Sequence, residues 1–251
     1  MIASSLVSAG LAAPEEMVPL RRWTAAKFAG DPTSGPVVSF LYGGTPFAEL
    51  CGSWQREYAS RPLGEQRTEH TATYTDPATG LVVRCVGTEF HDFPAIEWVA
   101  HFTNAGKQDT PILEDIQALD GVLPLPGVGA TVLHSAKGGV ASGEDFAPLR
   151  LPLPAGGKQR LAADEGRSSS KVLPFFNLEQ PGGGVVVALG WTGNWVADFA
   201  NTDRGVVLLI DERFTTARYR ELLPREWQPV CVRNEQEIRG ALEMFWNGHR
   251  P

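Results

Sequence analysis

The sequence predicts an all-β protein: a two-sheet antiparallel β-supersandwich with long loops and at most one or two short helices. Three observations carry that expectation. Turn residues are abundant, since 27 glycines and 19 prolines in 251 residues exceed the usual combined share of about 12%, and they show no collagen-like period. β-rich runs recur at spacings of about ten residues with turn signals between them. Ile96, Trp98, Ala100 and Phe102 alternate with Glu97, Val99, His101 and Thr103, the period-two pattern of a half-buried strand. A chain of this length buries a core without disulfides or metal.

The elements follow in order. "MIASSLVSAGLAAPEE" has an apolar centre and a small-residue end but no cationic start. Residues 1–22 read as a leader or flexible N-terminus, and 23–251 as one supersandwich domain. After a polar stretch from Gly30 to Pro36, "VVSFLYGG" reads as a strand closed by a glycine pair. "TEHTATY", "TDPATG" and "LVVRCVGTEF" form a hairpin. The alternating run from Ile96 turns at "NAGKQD", read as a hairpin turn, and returns as "TPILEDIQALD". Between Gly121 and Gly166 the Pro/Gly content predicts long loops with one short strand, "ATVLHSA". "VVVALGW" and "GVVLLIDE" are two more strands. Continued through "GWTGNW", the first would place Trp191, Gly193 and Trp195 on the face of Val185, Val187 and Leu189. Trp191 is then expected to pack with the valines and Trp195 to sit at the rim. Asn234 and Glu237 form a capping box ahead of Ile238, Ala241, Leu242 and Phe245 at helical spacing, which predicts a short helix over 234–246.

Several functional classes are disfavoured. A net charge of −7 with no Lys/Arg cluster does not suit a nucleic-acid surface, which needs several cations on one face. No stretch reaches the 18 or so apolar residues of a membrane helix. Cys51, Cys85 and Cys231 form no CxxC pair and read as small buried hydrophobes, which favours the cytoplasm over secretion. The five histidines form no HxH or HxxxH pair, so neither metal nor cofactor is expected. Ser168–Ser170 lie outside any GxSxG elbow, and the glycines at 182–184 precede a strand, so neither a serine nucleophile nor a phosphate cradle is read there.

Two constellations remain. "TEFHDFPAIEW" concentrates Glu89, His91 and Asp92, and on an extended strand Glu89 and His91 share a face suited to acid/base work. Asp120 in "LEDIQALD" lies among apolar residues that favour its protonated form, and His134 in "ATVLHSA" is a further acid/base candidate. The second constellation is aromatic. A sugar ring offers an apolar C–H face to an indole and leaves its hydroxyls to polar side chains. Trp54, Trp191 and Trp195 are the candidate platforms, with Asn194 and Arg167 as rim partners.

These stretches carry a resemblance. "FLYGGTPFAELCGSWQRE", "DFPAIEWVAHFTNAG", "PILEDIQALD" and "GRSSSKVLPFFNLEQPGGGVVVALGWTGNW" resemble the N-terminal β-supersandwich domain of glycoside hydrolase family 36 α-galactosidases, from about Trp23 to Asp211. The resemblance implies a galactose mutarotase-like fold that packs against a catalytic (β/α)8 barrel bearing two carboxylates. The barrel nucleophile lies in a Lys-x-Asp strand, whereas Lys107–Asp109 falls in the turn "NAGKQD". The catalytic carboxylates are therefore expected to be absent from this chain. In relatives the last stretch is a strand where "NEQEIRGALEMFW" reads locally as a helix, and the two readings stay open. The resemblance implies an accessory carbohydrate-recognition domain whose partners are galactose-containing or other oligosaccharides and either a second copy of the chain or a separate barrel. The alternative is a small carbohydrate-active enzyme, a hydrolase or mutarotase-like epimerase, that uses His91 or His134 with Glu89, Asp92 or Asp120.

Overall fold

The structure is a computed structural model that describes residues 14–30, 35–125 and 129–213; the segment 234–246 lies outside them. Helix α1 (Pro14–Thr24) opens on a proline, which suits the first helical position. Its Glu15 and Glu16 in the first turn and Arg21 and Arg22 in the last complement the helix dipole. Met17 and Leu20, three residues apart on one face, are buried. This helix begins inside the stretch read as a leader or flexible N-terminus. A π-helical segment, Ala25–Gly30, follows and buries Lys27 and Phe28.

The strands are β1 (Ser39–Tyr42), β2 (Thr45–Pro46), β3 (Gln55–Pro62), β4 (Arg67–Thr75), β5 (Leu81–Phe90), β6 (Ile96–Asn104) and β7 (Leu113–Val122), with a single helical turn α2 (Phe47–Leu50) before β3. After them come β8 (Thr131–Ala136), β9 (Pro148–Leu153), β10 (Lys158–Ala162), β11 (Phe175–Gln180), β12 (Gly183–Ala188), β13 (Asn194–Thr202) and β14 (Gly205–Arg213). The protein is all-β and antiparallel, with two short α-helices. Among the described residues the strands form three sheets, ordered β10-β13-β14-β7-β1-β2, β12-β11-β8-β9 and β3-β4-β5-β6.

Three expectations change. β6 and β7 form no hairpin, because β6 pairs with β5 while β7 lies between β14 and β1. The cause is local: Asn104 Nδ2 donates to Gln108 O at 2.8 Å, and Ala105 N donates to Gly80 O at 3.0 Å. The segment is thereby fastened to the β4–β5 turn, and the chain leaves the sheet. The region 121–166 holds β8, β9 and β10 rather than one strand. In β9, "PLRLPL", Leu149, Leu151 and Leu153 face inward while Pro148, Arg150 and Pro152 are exposed. Prolines are tolerated there because β9 is an edge strand. Finally, β12 stops at Ala188 and β13 starts at Asn194, so "GWTG" is a loop and no strand runs through it.

Aromatic residues fill the core. Phe40 stacks on Phe47 with centroids 4.4 Å apart, and Phe176 meets Phe199 edge-on at 5.3 Å. Two indoles join layers through their N–H groups: Trp23 Nε1 donates to Val122 O at 3.1 Å and Trp98 Nε1 to Ala118 O at 2.8 Å. Both acceptors belong to β7, which ties α1 and β6 to the six-stranded sheet.

Candidate functional site

The acid/base residues read from the sequence are dispersed. β5 ends at Phe90, and the chain bends over 91–94, so the parity that would align Glu89 with His91 is lost. Glu89 turns inward, 7% exposed, and meets His70 Nε2 at 3.2 Å and Arg21 Nε at 3.7 Å. His91 Nδ1–H donates to Glu65 O at 3.1 Å, so its Nε2 accepts from the Thr68 hydroxyl at 2.9 Å. Asp92 is half-buried in the bend. Asp120 lies on β7, where its backbone oxygen accepts from Lys27 Nζ at 3.1 Å. Burial pushes the Lys27 ammonium below its usual value, and the Asp120 charge opposes that shift.

His70 is the partner that sequence reasoning missed. It stands opposite Gly87 and thus diagonal to Glu89 across β4 and β5. On its other side, His70 Nδ1 and Tyr58 Oη are hydrogen-bonded at 2.9 Å. The Phe28 ring lies over Gly87, where an added Cβ would come within 2.7 Å of it, and beside His70 at 6.2 Å. This line of groups borders neither of the depressions described next.

The stretches "GRSSS" and "GWTGNW" are in contact. Trp195 is fully buried, edge-on to Phe176 at 5.4 Å, and its Nε1 donates to Ser168 O at 2.8 Å. Asn194 Oδ1 accepts from Gly166 N at 2.8 Å, and Thr192 O accepts from Ser168 N at 3.1 Å. The expected division between the tryptophans is therefore reversed. With β13 starting at Asn194, Trp195 takes the core-facing parity of Ala197 and Phe199. Trp191 is half-buried, its indole folded over Gly193, where a Cβ would lie 2.8 Å from Nε1. Trp54 is also a core residue, 7% exposed and edge-on to Tyr42 at 5.6 Å. Trp54, Trp195 and Asn194 hence offer no face to a ligand. Arg167 is exposed and paired with Glu165 at 3.1 Å.

The clamped turn forms one wall of a cavity of about 500 Å³, lined further by Lys137, Glu144, Asp145, Asp164 and Lys171. Ala141, Phe146, Glu165 and Lys171 have φ of 61°, 62°, 57° and 64°, a left-handed conformation that costs energy in any residue with a Cβ. All four lie in the two segments that bound the cavity. Asp145 accepts from Val140 N at 3.1 Å and Ser142 Oγ at 3.0 Å, and these bonds hold its carboxyl below the ordinary value. Lys137 pairs with Glu144 and lowers that carboxyl in the same way.

Three residues earlier on β8 the outer sheet face carries a groove of about 230 Å³, lined by His134, Ser135, Phe175, Asn177 and Val186 among others. Strand alternation places it: Leu133, Phe176 and Leu178 are buried, so His134, Phe175, Asn177 and Glu179 point outward. Phe175 is 55% exposed and Val186 73%. Register aligns Val186, Asn177, His134 and Arg150 in one row across the four strands. His134 Nε2 lies 2.7 Å from Glu179 Oε2. Of the acid/base candidates read from the sequence, His134 is the one at this groove, and its carboxylate partner is Glu179.

The chain is similar to parts of α-galactosidases. One is the α-galactosidase from Lactobacillus brevis, at 18% identity and a TM-score of 0.48, covering 70% of this chain and 25% of that one. Others are variants of a glycoside hydrolase family 36 α-galactosidase from Geobacillus stearothermophilus. One, in complex with 1-deoxygalactonojirimycin, has 18% identity, a TM-score of 0.48 and coverage of 70% and 26%. Another, in complex with raffinose, has 19% identity, a TM-score of 0.47 and the same coverage. The chain spans about a quarter of the length of these structures. No protein-family model matches it, and no curated protein matches it in sequence.

Proposed function

We propose that this chain is an accessory carbohydrate-recognition domain and that the outer face of β12-β11-β8-β9 holds the sugar. The carrying observation is the exposed Phe175 ring set beside an outward row of Asn177 and His134, with Glu179 one residue pair further along the strands. A pyranose lays its C–H face on such a ring while amide, imidazole and carboxylate groups take its hydroxyls. The row spans three interstrand spacings, about 14 Å, enough for more than one sugar unit. Motif resemblance in the sequence makes galactose-containing oligosaccharides the first class to test. Binding is weak, because an open sheet face buries little ligand surface against the cost of ordering it. Calorimetry of the full chain against a galactoside and glucoside panel tests the reading. Heat with at least one oligosaccharide, lost in Phe175→Ala, supports it; no heat with any sugar overturns it.

A second reading rests on the His134–Glu179 contact at the groove. An imidazole hydrogen-bonded to a carboxylate is an acid/base pair within reach of a bound sugar. On this reading the chain itself hydrolyses or epimerises a sugar, and a reducing-sugar or polarimetric assay detects turnover that His134→Ala abolishes. Turnover that survives this change refutes the assignment.

A further inference from the structure

The row that crosses the outer face of β12-β11-β8-β9 ends in a cation. From β12 to β9 it reads Val186, Asn177, His134 and Arg150. Arg150 is exposed on the edge strand β9, and among the described residues no hydrogen bond or ion pair holds its guanidinium. Its neighbours on the same face of β9, Pro148 and Pro152, carry no polar side chain that would compete for it. Glu179, the carboxylate on this face, lies on the far side of His134 and is engaged with His134 Nε2 at 2.7 Å. Two interstrand spacings and one outward step along the strands separate Glu179 from Arg150, or about 12 Å between Cα atoms. Phe175 lies two residues from Asn177 in the other direction along β11, so its Cα is also about 12 Å from that of Arg150.

On the reading that this face holds a sugar, we propose that the oligosaccharide is acidic and that Arg150 takes the carboxylate of a uronic acid unit next to the unit stacked on Phe175. A guanidinium presents its N–H donors in a planar fork that matches both oxygens of a carboxylate, whereas a sugar hydroxyl engages one donor and brings no charge. The separation of Phe175 from Arg150 assigns the stacked ring and the charged ring to different units. Asn177 and His134 stand between them, where the hydroxyls of both units pass. At an ionic strength of 0.15 M, charges more than about 8 Å apart are largely screened. Neither Glu179 nor the distant charges behind the net −7 of the chain therefore cancel a contact made at Arg150.

Calorimetry of the full chain at that ionic strength tests this with trigalacturonate and its fully methyl-esterified form, which share ring and linkage and differ in charge. Trigalacturonate is expected to bind tighter than the ester by about fivefold or more, fivefold being the upper end for an ordinary exposed ion pair. Arg150→Gln brings the ratio to about one, and because Arg150 is exposed the circular dichroism of that variant stays unchanged. Phe175→Ala weakens both probes together. Equal affinity for the two probes overturns the acidic assignment and leaves the sugar-binding face standing. A preference that survives Arg150→Gln, or trigalacturonate binding that survives Phe175→Ala, also overturns the assignment, since the carboxylate is then held elsewhere. No heat with either probe, beside heat from a neutral oligosaccharide, overturns the acidic assignment alone; no heat with any sugar overturns it together with the sugar-binding reading on which it rests.

Discussion

Replacing Trp195 by phenylalanine tests the packing of the "GWTGNW" segment directly. The indole is fully buried and gives its N–H to Ser168 O at 2.8 Å. Phenylalanine keeps the aromatic contact with Phe176 but removes that donor, and an orphaned buried acceptor costs about 1–3 kcal/mol. The smaller ring leaves a void of about 40 Å³, which at about 24 cal/mol per Å³ adds about 1 kcal/mol. The sum, about 2–4 kcal/mol, lowers Tm by roughly 4–16 °C in a domain of this size. Thermal unfolding followed by circular dichroism measures it, with Trp191→Phe, at a half-buried site, as the control that shifts less. Hydrogen exchange adds a local readout, because the amides of Gly166 and Ser168 are bonded to Asn194 and Thr192 and lose protection when Trp195 is changed. A larger loss from Trp191→Phe than from Trp195→Phe would refute the reasoning and restore the arrangement in which the strand runs unbroken to Trp191.

Two further outcomes follow from the titrating groups. Burial pushes the Cys85 thiol up to about 12, so iodoacetamide at pH 8 alkylates the half-exposed Cys51 while Cys85 stays unmodified until the chain is unfolded; equal rates at both, read by peptide mass spectrometry, would contradict its burial. Asp145 is held below its ordinary value of 3.8 by hydrogen bonds from Val140 and Ser142. A depressed folded value means that its stabilising bonds are fully present above pH 3.8 and are lost as pH falls through the lower folded value. Carboxyl-detected NMR should place the Asp145 midpoint under 3.8, with the Val140 amide deprotected only below that point, and a midpoint at or above 3.8 would count against the loop geometry.

The parts of this fold legible in the sequence are those whose signal is local. β4, β5 and β6 alternate cleanly because one face packs on the core and the other meets solvent, and "TDPATG" supplies the turn between the first two. β9 was illegible because Pro148 and Pro152 resemble loop punctuation, and only its edge position makes them acceptable. α1 was missed because Pro19 interrupts an otherwise short apolar pattern. Among the candidate site residues, His134 is legible by its type, whereas its neighbour Glu179 is not. Glu179 lies 45 residues away and reaches it only through the pairing of β8 with β11. The same holds for Glu89, whose neighbour His70 is set by register, and for Trp195, whose depth depends on β13 starting one residue before it.

The order of the strands has a consequence for how the chain matures. β3 to β6 pair strictly with their neighbours in sequence, so that sheet has all its strands once Asn104 has been made. The six-stranded sheet needs β7 between β1 and β14, and β14 ends at Arg213. During synthesis the meander can close more than a hundred residues before the sheet that covers its Leu81, Val83 and Cys85 is complete, and long-range pairing of this kind is the slow step in β-rich domains. For that interval the nascent protein presents a finished sheet whose apolar side is covered in part by the preceding Phe28 and Phe47, and a β7 whose β14 edge is unpaired, the combination on which chaperones act.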